Sequence, residues 1–268
     1  MTKLSWHYDD NAGCEVAFHN GYRIRAERDD NPDNPFEEWD GYWPIAIYYD
    51  GSIEVYEKTK GVPLRDVLRR FNDAQLVHDQ HAVATALGYT GKNVVDQLLE
   101  DYFGNPGEPT VRYCRDPEML RDAVESSIGD VADSKLLNTY EELYKLLGIP
   151  CYRTTSRGYS QGDWAEVLVV ATPEAVAEFG CTEVTESDLE STADLYSAWA
   201  WGDVFGYVIE NPIFDEDGEI EDWEDACDHN SCWGFYGSDH AESGLEEAAL
   251  ECVPDEPVRS PDVNLEIV

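Results

Sequence analysis

Between Gly158 and Val258 the chain has no lysine and no arginine, although it places 27 aspartates and glutamates there. A stretch of that charge repels phosphate, so direct binding of DNA or RNA and attachment to anionic membranes are not expected. It attracts basic protein surfaces, over a Debye length of about 8 Å in physiological salt. A run of about 18 apolar residues is also missing, and with it the expectation of a membrane-spanning helix. Residues 1–10 lack the apolar core of a secretory signal, so a cytoplasmic protein is expected. The seven cysteines are odd in number and follow no disulfide framework. That pattern reads as reduced thiols.

Aromatic residues are plentiful: 8 Trp, 16 Tyr and 8 Phe among 268 residues. Disordered acidic chains are poor in aromatics, so this one folds despite a formal net charge of -39. The length suits one large domain or two small ones. Charge divides it unevenly: residues 1–157 hold 17 of the 18 Lys and Arg. Two regions are therefore expected, 1–150 and a strongly acidic 151–268.

Periodicity and turn chemistry predict an α+β fold. Asn20-Gly21 and Asp50-Gly51 suit the positive φ angles of tight hairpin turns, and each is flanked by strand-like runs, 14–18 with 22–28 and 44–49 with 52–56. After Pro63 apolar residues recur at helical spacing to about Leu87, and further helices are expected over 92–103, 116–126 and 134–147. Asp116 followed by Pro117 reads as an N-cap with proline in the first turn, and Thr185 with Asp188 as a capping box opening a helix to Trp201. Strands are expected over 110–114, 151–155, 163–171, 204–209 and 231–236, with short helices over 173–179 and 240–252. The expected architecture is antiparallel hairpins, a helical middle, and a second sheet covered by helices. Residues 211–229 read as an acidic excursion between strands.

Candidate sites are few. Cys227, His229, Cys232 and His240 have side chains that bind zinc, but C-x-H-x2-C-x7-H matches no structural zinc spacing, so no metal and no cofactor are expected. His78 and His81 are three apart and lack the glutamate of H-E-x-x-H. Asp215-Glu216-Asp217-Gly218-Glu219 places its glycine fourth, where a calcium loop needs it sixth. The loop 156–162 lacks the Gly-Lys-Ser/Thr of a phosphate cradle and has no histidine to activate its serines. No catalytic constellation emerges, and a non-enzymatic role is expected. Trp233, Phe235 and Tyr236, set among Gly234 and Gly237, are expected to be structural anchors, with the Trp233 ring buried.

Three strings resemble a family of uncharacterised proteins encoded by bacteriophages and other mobile elements: Asp30-Asn-Pro-Asp-Asn-Pro35 with Trp39-Asp40, Gly202-Asp-Val-Phe-Gly-Tyr-Val-Ile-Glu210, and Ser231-Cys-Trp-Gly-Phe-Tyr-Gly237. The resemblance implies an accessory protein acting in the host cytoplasm, and carries no activity with it.

The charge suggests what such a protein would bind. A compact chain of this length is on the order of 45–50 Å long, and duplex DNA of that length shows roughly 28 phosphates, close to the 27 acids of residues 158–258. The expected role is a nucleic-acid mimic that inhibits a basic, nucleic-acid-binding host protein. Its contacts would come from Asp215, Glu216, Asp217, Glu219, Glu221, Asp222, Glu224 and Asp225. The alternatives are a salt-adapted acidic protein, for which 6 Lys against 12 Arg would be typical, and a metal-binding protein or enzyme using the Cys227–His240 cluster.

Overall fold

A computed structural model of the chain describes residues 3–58, 61–103, 113–157, 164–226 and 230–258. In chain order the elements are β1 (His7–Asp9), β2 (Cys14–His19), β3 (Tyr22–Arg28), the single-turn α1 (Pro35–Glu38), β4 (Ile45–Tyr49) and β5 (Ser52–Tyr56). A 3-10 helix (Leu64–Arg70) precedes α2 (Asp73–Ala86), α3 (Val94–Phe103), α4 (Pro117–Gly129) and α5 (Asp133–Leu146). Then come β6 (Cys151–Arg157), β7 (Trp164–Val170), α6 (Pro173–Phe179), α7 (Glu186–Trp201), β8 (Val204–Phe214), β9 (Ile220–Asp225), β10 (Ser231–Tyr236) and α8 (Leu245–Cys252). The fold is α+β, with two antiparallel sheets.

Both hairpin turns form as their residues dictate. Asn20 and Asp50 take φ of 52° and 47°, followed by Gly21 and Gly51 at 85° and 80°. Two successive positive φ angles define the turn whose twist matches that of the flanking strands. The Asp116 carboxylate accepts from the N–H groups of Glu118 and Met119, with Pro117 in the first turn of α4. Thr185 and Asp188 form the reciprocal box: Thr185 N donates to Asp188 Oδ2 (2.7 Å), and Asp188 N to Thr185 Oγ1 (3.3 Å). Of the strand expected over 110–114, residues 110–112 lie outside the described residues.

The chain divides into two compact units, Phe36–Tyr196 and a discontinuous unit made of 1–35 with 197–268. The boundary expected at residue 150 falls inside the first of these, between α5 and β6. In that unit the strand order is β5-β4-β7-β6. Ala46, Leu168 and Val170 share a core with the 3-10 helix and with α2 to α5. Ile45, Ile47, Val167 and Val169, which alternate with them, are equally buried. Strands buried on both faces read as continuous apolar runs, which is why 167–170 shows no alternation. From α5, Leu137, Tyr140, Leu143 and Tyr144 enter the core, and the Tyr144 hydroxyl donates to Leu64 O (2.8 Å).

The discontinuous unit is a six-stranded sheet ordered β1-β2-β3-β8-β10, with β9 also paired to β8. It exists because β8, from the carboxy-terminal half, pairs with β3 over Arg23–Arg28. On one face Ala17, Ile24, Ala26, Tyr207 and Ile209 pack against Leu245 and Ala249 of α8. The amino-terminal segment is pinned there by Glu246, whose two oxygens accept from Leu4 N (2.9 Å) and Trp6 Nε1 (3.2 Å). His240, 4% exposed, lies edge-on to Trp6 and Phe205 and pairs through Nε2 with Glu15 Oε2 at 2.7 Å.

Candidate functional site

Residues 211–226 are not an irregular excursion. β8 runs on through Pro212 to Phe214 and folds back as β9, pairing from Glu210↔Asp225 to Phe214↔Ile220. The carboxylate of Asp215 builds the tip, accepting from Asp217 N and Glu219 N, both at 2.9 Å. Gly218, at φ 80°, supplies the left-handed residue that closes it. Asp215 therefore acts as a turn former, with its Oδ1 occupied by the backbone. The carboxylate of Asp222 is likewise turned back, to its neighbour's N–H on Trp223 (2.8 Å).

The hairpin is held at its root by a charge cluster on the sheet face opposite α8. Glu210, 5% exposed, receives Arg23 Nε at 2.6 Å. Arg25 Nε lies 3.1 Å from its other oxygen, close enough for charge attraction though not aligned as a hydrogen bond. The Arg23 guanidinium also sits 4.7 Å over the Trp223 ring, which touches Phe18, which in turn stacks on His7. One β9 side chain is thus tied to β1, β2 and β3 through a row of rings, and the arm has a fixed base. Cys14 lies on this face too; burial raises its thiol pKa, against the opposing charge of Arg25.

All eight acids proposed from the sequence lie on this arm. Glu216, Asp217, Glu219, Glu221, Asp222, Glu224 and Asp225 are exposed, and Asp215 is half-buried. Among the described residues none of the eight forms an ion pair. They do not share one face: the β9 register sets Asp222 and Glu224 on one side of the hairpin and Trp223 and Asp225 on the other.

The aromatic anchors divide. Phe235 packs on Tyr207 (5.9 Å), and the Tyr236 hydroxyl donates to Asp33 O (2.7 Å). Trp233 is not buried. Its ring lies over Gly206, directly across the strand pair, and stays 45% exposed. An aromatic at this edge position covers its glycine with one side of the ring and shows the other to solvent. Parts of the three strings meet in this unit: Gly202–Glu210 supplies the first part of β8, Ser231–Gly237 contains β10 beside it, and Asp33 of the first string takes the Tyr236 hydroxyl.

Of the four zinc candidates the structure describes two. Cys232 is exposed and His240 is committed to Glu15, while Cys227 and His229 lie outside the described residues. Among the described residues no group of three or more His, Cys, Asp and Glu could hold a metal ion. His78 is exposed and bonds only its neighbour Asp79. Of the loop 156–162, residues 158–162 lie outside the described residues. Also among those described, no helix is long and apolar enough to cross a membrane.

Trp233→Ala is expected to cost about 1 kcal/mol, well below the ~3–5 kcal/mol of a buried aromatic. Gly206→Ala should cost more, about 1–3 kcal/mol, because a Cβ there overlaps the Trp233 ring and lies 2.8 Å from Cys232 O. Urea unfolding of both variants checks the pair. A Trp233→Ala loss as large as that of a core aromatic would show that the ring is covered in solution.

Compared with protein-family models, with curated proteins and with solved structures, the chain matches none.

Proposed function

We propose that the chain is a non-enzymatic acidic decoy from a phage or mobile element, acting in the host cytoplasm. It presents carboxylates where a basic, nucleic-acid-binding host protein expects phosphates. The observation that carries this reading is the β8–β9 hairpin: an arm fixed at its root, studded with carboxylates, with no cation paired to them among the described residues.

The charge density of β9 supports it in more detail. Glu221, Asp222, Glu224 and Asp225 fall within five consecutive strand residues. A strand rises about 3.3 Å per residue, against 3.4 Å per phosphate along one DNA strand. Charge per unit length is therefore similar, although carboxylates on alternating faces reproduce a backbone's field better than its shape. Exposed acids of this kind are costly to crowd and are relieved by a cationic partner.

The test is capture of proteins from a bacterial lysate on the immobilised chain, from about 50 to about 500 mM salt, over which the Debye length shrinks roughly threefold. The retained proteins should be nucleic-acid-binding, should leave as salt rises, and should be displaced by added duplex or single-stranded DNA. Retention that ignores both salt and DNA would overturn the mimic. Absence of any salt-labile partner, with a fold that tightens at high salt, would favour the salt-adapted reading.

A further inference from the structure

β9 and β10 lie end to end along one edge of β8. Ala226 N donates to Ile209 O (3.0 Å), and Ile209 N donates to Asn230 O (2.8 Å). Asp225 stands opposite Glu210 and Ser231 opposite Val208, two residue steps or about 7 Å apart. β8 uses its other edge for β3, so among the described residues the outer side of β10 is an edge of the sheet.

That edge lacks the usual protection. Terminal strands are blunted by charge, proline or shortness, because their unpaired N–H and C=O groups accept another strand. β1 is three residues long and includes Asp9, β5 contains Glu54, β6 contains Arg153, and β9 is acidic. β10, Ser-Cys-Trp-Gly-Phe-Tyr, is the one terminal strand among the described residues with neither a charge nor a proline. Its first half, Ser231 to Trp233, is exposed. In an antiparallel pair every second residue turns its N–H outward. Asn230 turns its carbonyl to β8, so the N–H groups of Ser231 and Trp233 point away from the sheet.

We propose that β10 receives an extended, arginine-rich segment of the partner protein as an additional strand. The inference rests on the reading of the hairpin as a surface for a basic protein. Charge complementarity chooses the occupant: β9 and β10 share one edge of β8, and Asp225, on the same face as Trp233, stands opposite Glu210, two steps along β8 from the partner of Ser231. The added strand's side chains on the Trp233 face meet the open side of that ring, where a guanidinium gains cation–π attraction. Main-chain bonds to β10 would set register, and the acids of β9 would select for basic sequence. This is strand addition with an electrostatic filter.

The test uses the full chain and a synthetic peptide of about ten residues alternating Arg and Val, followed by fluorescence anisotropy at about 50 mM salt. Two further versions have N-methyl groups on one or the other alternating set of amides. Charge is the same in all three; only main-chain donors differ. One methylated version should bind at least about tenfold more weakly, and the other like the parent peptide. Ser231→Pro, which removes an outward donor without touching the β8 ladder, should weaken the parent peptide by a similar factor, and Ser231→Ala should not. If Ser231→Pro fails to fold, the methylated peptides on the unaltered chain still decide. Equal binding of all three peptides would overturn strand addition and leave the charged hairpin reading intact. No binding by any of them would overturn both.

Discussion

Replacing Glu210 with alanine should destabilise the sheet by about 3–5 kcal/mol, the usual cost of removing one partner from a buried ion pair. Glu210 is 5% exposed and sits mid-strand, with β3 on one side and β9 on the other. Its loss leaves the guanidiniums of Arg23 and Arg25, whose side chains are 13% and 24% exposed, without their shared carboxylate. Arg25 keeps Glu27 at 2.7 Å, so Arg23 bears most of the penalty. Glu210→Gln preserves shape and isolates the charge. Removing both members of the closest pair, with Arg23→Met and Glu210→Met together, should recover much of the loss, because the Arg23 guanidinium is then no longer left desolvated and unpaired, while Arg25 keeps Glu27. Equilibrium unfolding in urea measures each variant. An alanine variant within about 1 kcal/mol of the parent would mean that water reaches the cluster and that the hairpin root is not fixed by it.

The same cluster explains why the hairpin was hard to read from sequence. Aspartate and glutamate are poor strand formers, and Pro212 inside the run argues against a strand. Both local signals are overridden. Pro212 stands past Glu210, the last β8 residue paired with β3. The β8 residues whose backbone turns toward β3 are the even-numbered ones, since Val204 O accepts from Asp29 N. The donor that proline lacks would therefore point where β8 has no paired strand among the described residues. The acids of β9 are carried by Trp223, whose ring rests under Arg23, a contact between residues 200 positions apart that no local pattern reveals.

What was legible was governed by local chemistry. Asn20-Gly21, Asp50-Gly51, the Asp116 cap and the Thr185–Asp188 box each determine their own geometry within a few residues. The division into units was not legible, because charge changes at the middle of the chain while strand pairing joins its two ends: β3 to β8, and Glu246 to Leu4 and Trp6. Trp233 was misjudged for a related reason. Its burial depends on what covers the sheet face above Gly206, and nothing within β10 encodes that.

Reversing charge on the arm is expected to have the largest effect on function. The tip constrains which acids to change. Asp215 shapes the turn through its bonds to Asp217 N and Glu219 N, and Asp222 caps Trp223 N, so both should stay. Glu216→Lys, Asp217→Lys, Glu221→Lys and Glu224→Lys together change the charge by eight while leaving every hydrogen bond reported for the hairpin in place. Complementary fields chiefly set the association rate, and steering by charge is worth roughly 10- to 1000-fold. A slowing of about 10- to 100-fold at low salt is therefore expected, with dissociation changed much less. The gap between parent and variant should close as salt rises, because exposed charges are then screened. Stopped-flow or surface-based kinetics with a captured partner, or with the alternating Arg-Val peptide, gives both rates, and circular dichroism confirms that the fold is kept. A folded variant that associates as fast as the parent at low salt would remove the hairpin from the interface. The mimic would then have to rest on acids elsewhere in residues 158–258.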